Sequence, residues 1–137
     1  MRDGTNLVAL LRRMEPVLRE GEFVFCTTLM DPKECLDLDP VCILREEEGA
    51  TLVLTRQTAD DRALEYSSVF RMITLSVESD LEAVGFLSTI TARLATLGIP
   101  VNPVSGFHHD HLFVPSSRAV EALNALKNLS ATAYATL

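Results

Sequence analysis

Along residues 5–14 the apolar positions Leu7, Leu10, Leu11 and Met14 recur at intervals of three and four. That spacing predicts an amphipathic helix, with Thr5 or Asn6 as its cap and Pro16 set against its continuation. Glu20 and Gly21 read as a turn. EFVFCTTL, residues 22–29, is rich in aromatic and β-branched side chains and predicts a buried strand. MDPKECLDLDP follows with two Asp-Pro pairs and reads as a loop, because Asp and Pro favour turns and the residue before Pro resists helix. VCILREEEGATLVLTR predicts a β-hairpin: strand 41–46, a turn near Glu48 and Gly49, strand 51–56. Glu46, Glu47 and Glu48 then form its solvated tip. TADDRAL reads as one or two helical turns capped by Thr58.

From residue 68 the pattern sharpens. Val69, Arg71, Ile73, Leu75 and Val77 alternate along one face, which predicts a strand over 68–77. Ser79 and Glu82 have the spacing of a capping box at the start of a helix. Val84, Leu87, Ile90, Thr91, Leu94 and Leu97 supply its apolar stripe, and Gly98 and Pro100 its stop. VNPVSGF and HHDHLFVP read as two short strands. SSRAVEALNALKNL predicts a final helix capped by Ser116 or Ser117, with Val120, Leu123, Leu126 and Leu129 as its buried stripe.

The second half is therefore β-α-β-β-α. With a right-handed crossover helix between its first two strands, this is a split βαβ, or ferredoxin-like, arrangement. The fold class expected is α+β: two small βαββαβ modules side by side, residues 1–65 and 66–137, with largely antiparallel sheets and helices on one face. A complete unit needs a fourth strand, and ATAYATL is a poor candidate for it. The strand at 22–29 is expected to fill that place and to interlock the halves.

Composition narrows the function. The 137 residues carry a net charge of -7 with scattered Lys and Arg and no Trp, which argues against nucleic-acid binding. No apolar run is long enough to cross a bilayer, and the N-terminal segment does not read as a signal peptide, so a cytoplasmic location is expected. Three cysteines, Cys26, Cys35 and Cys42, match no zinc spacing and read as free thiols, with Cys26 and Cys42 as small core hydrophobes. No phosphate loop and no nucleophile motif is present, so neither a catalytic residue nor a cofactor is assigned.

The three histidines, His108, His109 and His111, flank Asp110 in four consecutive positions. On a strand His109 and His111 would share one face, and His108 and Asp110 the other. H-x-H is a metal-ligand spacing, but no further histidine exists to complete a site, and no metal is assigned. A small enzyme built on these histidines is the least favoured reading.

LSVESDLEAVGFLSTITARLATLGIPVNPVSGFHHDHLFVP resembles an ACT domain. It is similar to the ACT modules of bacterial aspartate kinases and of the animal cytosolic arginine sensors. The residues that carry the likeness are Asp80, Glu82, Val84, Gly85, Gly98, Ile99, Val101, Ser105, Phe107, Asp110, Leu112, Val114 and Pro115. The first half, with GEFVFCTTL and REEEGATLVL, looks like small bacterial proteins made of two ACT-like modules.

The resemblance implies a non-catalytic regulatory module. It binds a small metabolite, usually an amino acid, at the junction of two ACT modules, and such modules pair as homodimers. The ligand-binding residues it implies are Asp80, Glu82, Val84, Gly85, Ser105, Gly106, Phe107 and Asp110. Their chemistry is compatible. The loop at 78–85 ends at a helix N-terminus that attracts carboxylates, Gly85 and Gly106 allow close backbone approach, and Asp110 suits an ammonium group. Each also has a purely structural reading: Ser79 and Glu82 as a helix cap, Gly85 for packing, Gly106 as a twist before the hairpin. A protein-interaction module without a metabolite is the alternative function.

Overall fold

A computed structural model describes residues 6–133. Thr5, the alternative cap, and residues 134–137 of ATAYATL lie outside the described residues. The chain forms two compact units, one of Glu20–Phe70 and one of the described parts of Met1–Arg19 and Arg71–Leu137.

In the first of these, strand β2 (Phe23–Thr28) pairs antiparallel with β4 (Gly49–Thr55), and β4 pairs antiparallel with β3 (Cys42–Glu46). Glu47 and Glu48 make the β3–β4 turn. Val24, Cys26, Cys35, Leu38, Leu52, Leu54 and Ala59 close its core. Cys26, Cys35 and Cys42 are free thiols, the first two buried.

Two local expectations fail here. Residues 30–40 are not an open loop: α2 (Pro32–Cys35) is followed by a 3-10 turn over Leu36–Leu38. The Asp-Pro pair that suggests a turn also suits a helix start. The Asp31 carboxylate accepts the Lys33 N–H at 2.8 Å, and Pro32 stands at a first-turn position where its missing N–H costs nothing. Helix α3 (Arg56–Asp61) is capped by Thr55, whose hydroxyl accepts the Thr58 N–H at 3.2 Å; Thr58 receives the cap and does not supply it.

The second unit begins with α1 (Leu7–Arg13), capped by Asn6, whose side chain accepts the Ala9 N–H at 3.0 Å. Strand β1 (Pro16–Leu18) then lies antiparallel to β5 (Phe70–Leu75), with Pro16 opposite Leu75 and Leu18 opposite Ile73. Helix α4 (Phe86–Thr96), the antiparallel pair β6 (Asn102–Ser105) and β7 (Asp110–Pro115), and α5 (Ala119–Thr132) follow. β7 lies beside β5. Leu10, Leu11 and Met14 pack with Ile73, Leu75, Phe86, Ile90, Leu94, Leu112, Val114 and Leu126 in one core. The strand beside residues 73–75 is thus β1; β2 pairs with β4 and meets Phe70 at Phe23.

Helix α4 starts at Phe86, seven residues after Ser79. The capping box does not form: the Ser79 hydroxyl is bound elsewhere, and the Glu82 N–H is taken by the Asp80 carboxylate at 3.0 Å. Gly85 caps the helix instead at φ +91, a left-handed conformation that costs other residues about 1–2 kcal/mol. Val84 is therefore outside the helix and exposed, and Leu97 is partly exposed at its end. The stop is as expected. Gly98 sits at φ +70, and the Gly98 and Ile99 N–H groups close back on the carbonyls of Ala95 and Leu94.

In α5 the buried row is Ala119, Ala122, Ala125 and Leu126; of the predicted row Leu126 is buried, Leu123 and Leu129 pack partly buried against the core, and Val120 is exposed. Small side chains let this helix approach its neighbours closely. The helix follows a 3-10 turn at Ser116–Arg118 and has no side-chain cap.

Candidate functional site

The loop between β5 and α4 and the turn between β6 and β7 meet at the helix side of the second unit. Three side-chain bonds join them. Ser79 Oγ donates to Asp110 Oδ2 at 2.7 Å, His108 Nδ1 lies 2.9 Å from Glu78 Oε1, and His109 Nδ1 lies 3.4 Å from the Val77 carbonyl. Ser105 Oγ donates to the other Asp110 oxygen at 2.7 Å.

Asp110 is 4% exposed, so its carboxylate has lost nearly all of its water. Uncompensated, that is costly; two hydroxyl donors at charge-assisted distances offset much of it. The alternation of β7 explains the placement. Leu112 and Val114 share the core with the helices, and Asp110 is two residues before Leu112 on the same face.

A cleft of about 130 Å³ opens beside this carboxylate, lined by residues of the 79–88 segment together with Ser105 and Asp110. Among the described residues its lining holds no Lys, Arg or His. The first bond of α4 runs from the Thr89 N–H to the Gly85 carbonyl at 3.0 Å, so the amides of Phe86, Leu87 and Ser88 precede the helical ladder. A second hollow of about 140 Å³ adjoins it, bounded by Glu78, Ser79, Asp80, Leu81 and Phe107.

Of the eight sequence-derived positions, Asp80, Gly85, Ser105 and Asp110 line the first cleft, and Phe107 lines the second hollow beside Asp80. Glu82 and Val84 are exposed and line neither. Gly106 lies in the β6–β7 turn, donating its N–H to the His109 carbonyl at 2.9 Å; a Cβ there would come within 3.1 Å of that oxygen. Ser79 and Ser88 are site residues that the sequence does not flag, the first because it imitates a cap.

The histidines do not follow simple strand alternation. His108 belongs to the turn, so it does not share a face with Asp110 in a ladder. His111, on the opposite face of β7, has Nδ1 3.0 Å from the Thr74 hydroxyl. Burial pushes the His111 pKa below its ordinary value, the nearby His109 and Arg19 push the same way, and Asp110 opposes them. Among the described residues no group of three His, Cys, Asp or Glu side chains is arranged to hold a metal ion.

The second unit is a βαββα arrangement with a polar cleft at its strand–loop–helix junction, and the comparisons give its family. One ACT domain model matches residues 4–71 and another matches residues 67–128. The chain belongs to the ACT domain family, with two such domains in tandem and a ferredoxin-like α+β fold. ACT domains are typically regulatory ligand-binding modules, and neither match indicates a catalytic family.

A protein of unknown function from Vibrio cholerae, described as a possible transport protein, is 40% identical over 94% of this chain and 99% of its own, with a TM-score of 0.84. A protein from Agrobacterium tumefaciens is 18% identical over 84% of this chain and 87% of its own, with a TM-score of 0.69. The ligand-free regulatory subunit of aspartate kinase from Thermus thermophilus is 9% identical over 83% of this chain and 95% of its own, with a TM-score of 0.60. The last two are likenesses of fold. No curated protein matches the sequence. Among the described residues no helix is long and apolar enough to cross a membrane.

Proposed function

We propose that the chain is a non-catalytic regulatory protein of the cytoplasm that binds a free amino acid in the Asp110 cleft and acts as a homodimer. The observation that carries this reading is the buried Asp110 carboxylate on the wall of a cleft whose described lining has no basic side chain. An α-ammonium group supplies the missing cation. The amides at the start of α4 accept the α-carboxylate, where the helix dipole favours negative charge. The cleft has the volume of about four waters at ~30 Å³ each, enough for the zwitterionic head. The ligand side chain then extends toward Phe107 and the second hollow. In this reading the modules are residues 1–65 and 66–137, and a second ACT-like module closes the site.

Thermal unfolding in the presence of each amino acid at millimolar concentration tests the proposal. A ligand at one hundred times its dissociation constant adds about 2.7 kcal/mol, a rise of several degrees in Tm. One amino acid or one chemical class should produce it, and Asp110→Asn, which keeps the shape and removes the charge, should abolish it. A flat profile across all amino acids overturns the proposal. The exposed Leu81, Val84 and Phe107 near the two hollows favour a second reading, a protein-interaction surface. On that reading Asp110→Asn leaves partner binding unchanged.

A further inference from the structure

Among the described residues the lining of the Asp110 cleft has no basic side chain, so an anionic group entering it is met by backbone amides and hydroxyl groups. Three serines line the cleft: Ser79, Ser88 and Ser105. A serine hydroxyl has one proton to donate. Ser79 gives its proton to Asp110 Oδ2 and Ser105 gives its own to Oδ1, each at 2.7 Å. Turning either hydroxyl toward a ligand would strip a donor from a carboxylate that is 4% exposed, which is costly. Those two protons are committed.

Ser88 is placed differently. It is the third residue of α4, it is exposed, and its hydroxyl donates to the Gly85 carbonyl at 3.1 Å. The same carbonyl accepts the Thr89 hydroxyl at 2.6 Å and the Thr89 N–H at 3.0 Å. A carbonyl oxygen has two lone pairs, and Thr89 alone supplies two donors. Ser88 is the third donor and makes the longest of the three contacts. Its departure leaves Gly85 fully bonded, so turning it strands no buried acceptor. Ser88 also stands in the first turn of α4, where the helix dipole favours negative charge and the leading amides precede the ladder.

We propose that Ser88 is a ligand-binding residue, whose hydroxyl leaves the Gly85 carbonyl on ligand entry and donates to the α-carboxylate. This rests on the amino-acid reading above and names the side chain that recognises the carboxylate. The exchange loses no hydrogen bond. Before binding, the Ser88 proton shares an acceptor that Thr89 already satisfies; afterwards it makes a charge-assisted bond to an anion, roughly twice as strong as a neutral one. The two ends of the cleft then divide the work. Asp110, held by Ser79 and Ser105, takes the ammonium group. Ser88 and the leading amides of α4 take the carboxylate. An α-carboxamide keeps the shape and the ammonium group of an amino acid but lacks the anion, so the site selects against it.

Thermal unfolding of the full chain with each of the twenty amino acids selects the probe. Calorimetry at mildly acid pH, where both amino groups are charged, then reads the affinity of that amino acid and of its α-carboxamide. The wild type should prefer the amino acid by about tenfold or more. Ser88→Ala should weaken the amino acid about tenfold, the loss of one hydrogen bond to a charged group, and the carboxamide by about twofold or less. The ligand-free Tm of Ser88→Ala should not fall, because Thr89 still holds Gly85. Unchanged amino-acid affinity in Ser88→Ala, with binding abolished in Asp110→Asn, overturns this inference and leaves the amino-acid reading standing. Equal losses for amino acid and carboxamide, or a lowered ligand-free Tm in Ser88→Ala, also overturn it, since either marks a structural role. A wild type that binds none of the twenty overturns both.

Discussion

The two strand–loop–helix passages, β2 to α2 and β5 to α4, begin alike and end differently. After β2 the chain turns within a few residues, and the first acid, Asp31, caps its own helix by accepting the Lys33 N–H. After β5 the connection is ten residues long, and Asp80 binds the Glu82 N–H while the helix is left to a glycine cap. The carboxylate that ends up buried there, Asp110, comes from another strand. Beside the first passage lies a groove of about 210 Å³ whose lining includes Leu29, Met30, Pro32 and the charged pair Arg45 and Glu46. Beside the second lies the smaller cleft with a buried carboxylate. The lesson is that a short, self-capped connection satisfies its polar groups locally. A long one leaves polar groups facing a common space, where a ligand can complete them.

The comparison breaks most severely if both serines are removed. Ser79→Ala with Ser105→Ala leaves the Asp110 carboxylate buried without hydroxyl donors. At about 1.5–3 kcal/mol for each hydrogen bond to a charged group, a loss of about 3 kcal/mol or more is expected in urea unfolding. Amino-acid binding should fall with it. Unchanged stability would mean that the pair of bonds contributes nothing.

Gly85→Ala is the next test. Among the described residues, its chain neighbours aside, the one atom within 4 Å of an added Cβ is Leu7 Cδ2 at 3.6 Å, an ordinary contact, so the expected cost of about 1–2 kcal/mol comes from the left-handed backbone and not from crowding. A larger loss would point to a clash. Asp31→Ala should cost about 1 kcal/mol through the lost cap and leave amino-acid binding untouched. An effect on binding there would erase the distinction between the two passages.

The smallest expected effect is one of pH. Burial holds the folded His111 pKa below its ordinary value of 6.5. The unfolded chain therefore binds a proton that the folded chain resists. The stability this contributes is complete above pH 6.5 and is lost as pH falls through the lower folded value. His111→Gln should flatten that part of the stability profile, as measured by urea titrations at successive pH values. A profile with the same slope in the variant would assign it to another group.

Much of the fold is legible in the sequence. The 22–29 strand, the REEEG hairpin, the alternation through Ile73 and Leu75, and the Gly98 stop all depend on residues within a few positions of one another. The failures have identifiable competitors. Ser79 and Glu82 have the spacing of a cap, but an acceptor outside the segment and an Asp one residue away take their groups first. Asp31-Pro32 reads equally as a turn or a helix start, and the burial of Cys35 and Leu38 favours the latter. In α5 the predicted leucines Leu123, Leu126 and Leu129 do meet the core, but Ala119, Ala122 and Ala125 are buried beside them and Val120 is left outside. β1 is only three residues long, too short to show a period, and becomes a strand because β5 offers it an edge.

By itself the sequence showed most of the elements and their principal terminators, because hydrophobic period and turn chemistry are local properties, and its resemblance to ACT domains pointed to four residues that line the cleft. Only the tertiary structure decided that Ser79 serves Asp110, 31 residues away, and that His108 and His109 tie the turn to the loop after β5. Those contacts depend on strand register and helix placement, which the hydrogen bonds and packing of the whole unit set together.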